Sequence, residues 1–149
     1  MIKLKICLAK TVLIFYAIIT PFIVYGSLYN LIKGVIIQEN PSVYVGAFSL
    51  FGFILLPLLL ISTYRQNICV IAVDKVKVGK QEFTVNDYSF SIAEKHLAFK
   101  DRPIFMPFKK TYYMLVVKNT TTNQIVLEND LNIFNKDLLK LRQALQNLN

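Results

Sequence analysis

Catalysis needs a nucleophile, an acid–base pair or a metal-ligand set at workable spacing, and this sequence offers few residues of those types. His96 is the lone histidine and follows Glu94 and Lys95. That triplet could supply a general base, but no second histidine or motif-placed nucleophile accompanies it. Cys7, Cys69 and His96 cannot fill the four positions of a zinc site unaided. The five glycines, at 26, 34, 46, 52 and 79, form no phosphate-binding loop, and neither Gly-x-Ser-x-Gly nor His-Glu-x-x-His occurs. The acids between Asp74 and Asp137 are interleaved with lysines, as on solvated strand edges and turns. The expectation is a protein with no enzyme activity, no catalytic residues, no metal and no cofactor.

Basic residues carry the positive signal. Lys75 and Lys77 stand two apart in an alternating run and so share one face of a strand, with Lys80 in the following turn. Lys109 and Lys110 follow Ile104-Phe105-Met106-Pro107-Phe108, an apolar run pinned by Pro103 and Pro107 that reads as a loop. Near an anionic leaflet each lysine contributes about 1 kcal/mol, so these five are candidate contacts for anionic lipid headgroups or for a membrane or cytoplasmic protein. The plainer reading of the same residues is a solubilising surface that also sets membrane topology. Nucleic acid is not expected, because thirteen Lys/Arg against eight Asp/Glu from Arg65 onward is too mild a basic stripe.

The elements that must hold these residues fall into two parts. The chain is 54% hydrophobic, against about 45–50% for an ordinary soluble domain, and the excess is concentrated. Residues 11–32 and 40–64 contain no Asp, Glu, Lys or Arg. About 20 apolar residues cross a hydrocarbon core roughly 30 Å thick, so spans are expected over about 11–32 and 43–63. The expected domains are a transmembrane hairpin, 1–64, and a soluble domain, 65–149. Pro21 and Pro57 are expected to kink the spans. Gly46, Ser49 and Gly52 are candidates for close helix packing, and homo-oligomerisation through the spans is a further expectation. Lys3, Lys5 and Lys10 before an apolar run also outline a secretory signal peptide. The apolar stretch, however, continues to Ile37, longer than a typical signal core. Lysines before the first span and after the second predict both termini in the cytoplasm.

The soluble part reads as short strands. Residues 68–73 are a β-branched run, 75–78 alternate, and Gly79-Lys80 offers a turn. Further strands are expected at 83–85, 88–92, 96–99, 111–117 and 124–127, with a polar hairpin loop over 119–123. Leu138, Leu139, Leu141, Leu145 and Leu148 then mark an amphipathic helix, with Asn135 at its N-cap.

The run V-D-K-V-K-V (73–78), the S-F-S-I strand (89–92), the Y-Y-M-L-V-V strand (112–117) with its hairpin, and the closing D-L-L-K-L-R-Q-A-L helix (137–145) carry a resemblance. Their order resembles bacterial pleckstrin-homology-like (PH-like) membrane proteins, in which one or two transmembrane helices precede a small PH-like barrel. The tryptophan common in the terminal helix of eukaryotic PH domains is absent. The resemblance implies an α+β protein of the bacterial inner membrane, a two-helix hairpin followed by an antiparallel barrel or half-barrel with a C-terminal helix. It also implies a module that binds a protein or lipid. Two other roles suit a small basic membrane protein. One is immunity or exclusion against a toxin or phage; the other is a two-span defence effector that disrupts the membrane on nucleotide binding.

Overall fold

The computed structural model describes residues 2–37, 49–104, 106 and 108–148. The chain divides into two compact units, Leu13–Thr63 and the combination of Met1–Val12 with Tyr64–Asn149. The apolar first segment forms helix α1 (Lys10–Leu31), with Pro21 inside it, and runs on through a π-helical turn, Ile32–Ile36. The continuous helix Lys10–Gly34, 25 residues, is long and apolar enough to cross a membrane. Its large apolar side chains point outward, Phe22 75% and Tyr25 72% exposed, where a core helix of a soluble protein would bury them. The second apolar segment is described only from residue 49 onward. Its described part holds the shorter apolar helix Phe51–Gln66, so one helix among the described residues is long and apolar enough to cross a membrane. The first positions of the expected span, 43–48, lie outside them. This segment is π-helical over Phe51–Leu55 and continues as α2 (Leu56–Gln66). The wide turn has a cause: Pro57 has no N–H to donate four residues back, and its ring crowds that carbonyl.

The sheet unit begins earlier than its charges suggest. Ile2–Cys7, expected as a basic tail, is strand β1, and its Ile-Lys-Leu-Lys-Ile alternation has the period of a half-buried strand. It pairs antiparallel with β2 (Ile68–Ala72), Cys7 opposite Ile68 and Ile6 opposite Cys69. β3 (Lys75–Val78) and β4 (Gln81–Thr84) complete a four-stranded sheet in the order β1-β2-β3-β4. Gly79 turns the chain between them at φ +59, its N–H donating to the Ile68 carbonyl at 2.8 Å. A Cβ there would come within 2.5 Å of the Gln66 carbonyl oxygen, so both conformation and space demand glycine.

The second sheet holds β5 (Tyr88–His96), β6 (Thr111–Asn119) and β7 (Ile125–Asp130), antiparallel and in that order. The strands expected separately at 88–92 and 96–99 are one strand as far as His96, paired along its length with β6. Asn119 shapes the following hairpin, its Oδ1 accepting the N–H groups of Thr121 and Thr122 at 2.9 and 3.0 Å. The two sheets do not close into a barrel: β4 and β5, consecutive in sequence, belong to different sheets.

Helix α3 (Asn135–Gln146) follows. The N-cap position is Phe134, with no side-chain cap, so Asn135 is the first helical residue instead of the cap. Leu138, Leu141 and Leu145 enter one core with Leu8, just after β1, and with Ile71, Val76, Phe83, Phe90, Leu115 and Val117 from the two sheets. Leu139 is exposed. Residues 8–11 are stitched into this unit. The Leu8 N–H donates to the Asn67 carbonyl at 2.7 Å, the Asn132 N–H to the Leu8 carbonyl at 2.8 Å, and the Thr11 N–H to the Asn132 carbonyl at 2.8 Å. Lys10 pairs with Asp137 of α3 at 2.8 Å.

Candidate functional site

The alternation of β3 puts Lys75 and Lys77 on one face, as the spacing requires. Across the hairpin, Lys77 stands opposite Glu82 and Lys75 opposite Thr84. Glu82 accepts from both lysines, at 3.2 Å from Lys75 Nζ and 3.1 Å from Lys77 Nζ. Hydrogen bonds from Lys77 and then Lys75 hold the Glu82 carboxyl below the usual carboxylate range. The expected pair of lysines is therefore a triad with a net single positive charge, beside an exposed Lys80 in the Gly79-Lys80 turn. Cross-strand register decides this, and the sequence spacing of the lysines does not reveal it.

Lys109 and Lys110 belong to a different place, the end of the loop joining β5 to β6. Lys110 is exposed. The Lys109 ammonium lies 5.9 Å from the Tyr112 ring centre and 5.6 Å from that of Tyr113, within cation–π range. Desolvation pushes its pKa down. No carboxylate among the described residues pairs with it. Arg142 of α3 approaches the same Tyr113 ring at 5.2 Å and donates to Glu94 at 3.2 Å. Tyr113, Arg142 and Glu94 thus join Lys109 in a cluster that tethers α3 to the second sheet. Neither Tyr113 nor Arg142 stood out in the sequence, although Arg142 lies on the polar side of its helix. Beside this cluster a groove of about 190 Å³ runs between β5 and α3, lined by Phe90, Ser91, Ile92, Arg142, Leu145 and Gln146.

Two of the three small residues proposed for helix packing meet α1. Gly52 is buried, and a Cβ on it would run into the Ser27 hydroxyl and lie 3.0 Å from the Ser27 Cβ. Ser49 Oγ donates to the Ser27 carbonyl at 3.3 Å, while Ser27 Oγ donates back to Ile23 at 2.8 Å. This small-residue contact is made within one chain, where close backbone approach lets the two helices pack. Gly46 lies outside the described residues.

Cys69 is fully buried, and burial pushes its thiol up to about 12. Cys7 is also raised by burial, partly offset by a backbone hydrogen bond at Ala9 and by Lys10. Neither is a thiolate near neutral pH, so nucleophilic use of these cysteines has no local support. No group of three His, Cys, Asp or Glu among the described residues could hold a metal ion, and His96 is exposed at the end of β5. Comparison with protein-family models, curated proteins and solved structures returns no match.

Proposed function

We propose that this chain is a membrane-anchored binding module without enzyme activity. On this reading a PH-like domain meets a protein partner or anionic lipid headgroups at the inner face of the cytoplasmic membrane. The observation that carries the reading is the pairing of β1 with β2 from either side of the apolar segment. Two hydrogen-bonded strands outside the hydrocarbon lie on one side of it, so the chain between Cys7 and Ile68 crosses an even number of times. With Lys10–Gly34 suited to one crossing, the return falls to the second apolar segment, and both termini share a side. Removal of α1 as a signal peptide would also take β1 and the buried Ile6 and Leu8, which favours a retained anchor.

Four plus three antiparallel strands and a closing helix suit the PH-like reading, as an open half-barrel. The sheet unit also carries sixteen of the seventeen Lys/Arg residues against eight of the nine acids, a balance that favours acidic partners. The test is to place the full chain in nanodiscs of phosphatidylcholine with or without phosphatidylglycerol and follow amide hydrogen exchange. Anionic lipid is expected to slow exchange over 75–80 and 109–111, and replacing the five lysines with glutamine removes that protection. Release of the protein from membranes by alkaline carbonate would overturn the anchor. Identical exchange in the two lipids would remove the lipid-contact part of the proposal and leave a protein partner.

A further inference from the structure

The loop between β5 and β6 exposes apolar side chains that the core does not claim. Ile104 and Phe108 are each 87% exposed and Phe99 69%. Single exposed apolar residues are ordinary, but several large ones in one short loop mark a contact surface. Described residues of the loop are held by hydrogen bonds. Tyr112 Oη donates to the Met106 carbonyl at 2.7 Å, Arg102 Nε to the Leu97 carbonyl at 3.2 Å, and the Met106 N–H to the Pro103 carbonyl at 3.0 Å. Residues already held in this way lose less conformational freedom on binding. Between residues 97 and 110 the chain carries four basic residues and one acid.

We infer that the described residues of this loop form a second membrane contact. Phe99, Ile104 and Phe108 enter the interfacial region of an anionic bilayer while Lys100, Lys109 and Lys110 engage its headgroups. Large apolar side chains beside lysines suit an interface whose interior is apolar and whose surface is negative. The half-buried Lys109, stacked on tyrosines and with no carboxylate partner among the described residues, gains an anionic neighbour there. A second copy of the chain is the poorer occupant, because each copy carries a net charge of +8 and the loop itself is basic. The inference rests on the membrane reading above, since an anchored loop meets the bilayer at high effective concentration.

The chain contains no tryptophan, so one introduced indole reports alone. Phe108→Trp and, separately, Phe22→Trp in α1 are made in the full chain and reconstituted in vesicles of phosphatidylcholine with or without phosphatidylglycerol. Acyl chains are brominated or plain. The Phe108→Trp indole is expected to shift to the blue and to be quenched by brominated lipid when phosphatidylglycerol is present. Lys109→Gln and Lys110→Gln each lower the inserted-to-free ratio by about fivefold, and Ile104→Trp repeats the result at a second site. Quenching of Phe22→Trp without quenching at position 108 overturns the loop contact and leaves the anchor intact. Absence of quenching at both positions overturns both readings. A blue shift at 108 that needs high protein concentration and ignores bromine assigns the loop to a second copy and overturns the inference.

Discussion

Gly79 offers the sharpest test of how the sheet unit is joined, because two separate costs meet on one residue. Gly79→Ala places an L side chain at φ +59, a left-handed conformation that costs about 1–2 kcal/mol without glycine. The new Cβ also lies 2.5 Å from the Gln66 carbonyl oxygen and 3.1 and 3.2 Å from the Gln66 carbonyl carbon and Cα. These are backbone atoms at the end of α2 and cannot swing aside, so overpacking adds about 1–3 kcal/mol. The sum, about 2–5 kcal/mol, corresponds to a fall in melting temperature of roughly 10 °C or more for a unit of this size. Gly79→Asn separates the two costs, since Asn tolerates the left-handed region but keeps the Cβ. Calorimetry of the full chain in nanodiscs should rank wild type above Gly79→Asn and Gly79→Asn above Gly79→Ala. A Gly79→Asn protein as stable as wild type would refute the close approach to Gln66. A loss under about 1 kcal/mol for Gly79→Ala would refute both terms.

Three further outcomes are expected. Gly52→Val should separate the helices that meet at Ser27, lowering the efficiency of a cross-link engineered between them, and Ser27→Ala should restore part of it. The lowered pKa of Glu82 adds stability that is present above the usual carboxylate value and fades as pH falls through its folded value. Glu82→Gln should therefore flatten the acid limb of the stability profile, and it should increase anionic-lipid protection of β3 by freeing Lys75 and Lys77. In the folded protein Cys69 should resist maleimide at pH 8 while Cys7 reacts slowly. Mass spectrometry that found Cys69 labelled first would contradict its burial.

Where one short-range pattern dominates, the sequence predicts the structure well. The uncharged run from Thr11 corresponds to α1, the leucine periodicity to α3, the alternation around Lys75 to β3, and the aromatic and β-branched run 111–117 to β6. What escaped depends on distant partners. Ile2–Cys7 has a strand's alternation, but Lys3 and Lys5 before an apolar helix equally suit a basic flank. Only the β2 edge, far along the chain, decides between them. Likewise nothing local tells Lys75 and Lys77 that Glu82 lies opposite, or tells Lys109 that Tyr113 stacks beneath it. Asn135 has the better capping chemistry, yet the chain enters α3 one residue earlier, where Phe134 is extended and carries no side-chain bond. Leu139 fits a leucine count but falls outside the 138, 141, 145 face that reaches the core.

The splitting of the first sheet between the two ends of the apolar segment also sets an order of events during synthesis. β1 leaves the ribosome before the apolar segment, and its partner β2 follows only after that whole segment has been made. Until then Ile6 and Leu8 have no core to enter, and closing so long a loop carries an entropic cost that local hairpins avoid. The sheet unit can finish folding only after the apolar segment has been settled and Ile68 onward has emerged. A chain whose apolar segment is misplaced keeps the β2 edge open to other chains. On the membrane-anchored reading proposed above, insertion and folding are coupled, because β1 is made before the apolar segment and finds its partner only after it.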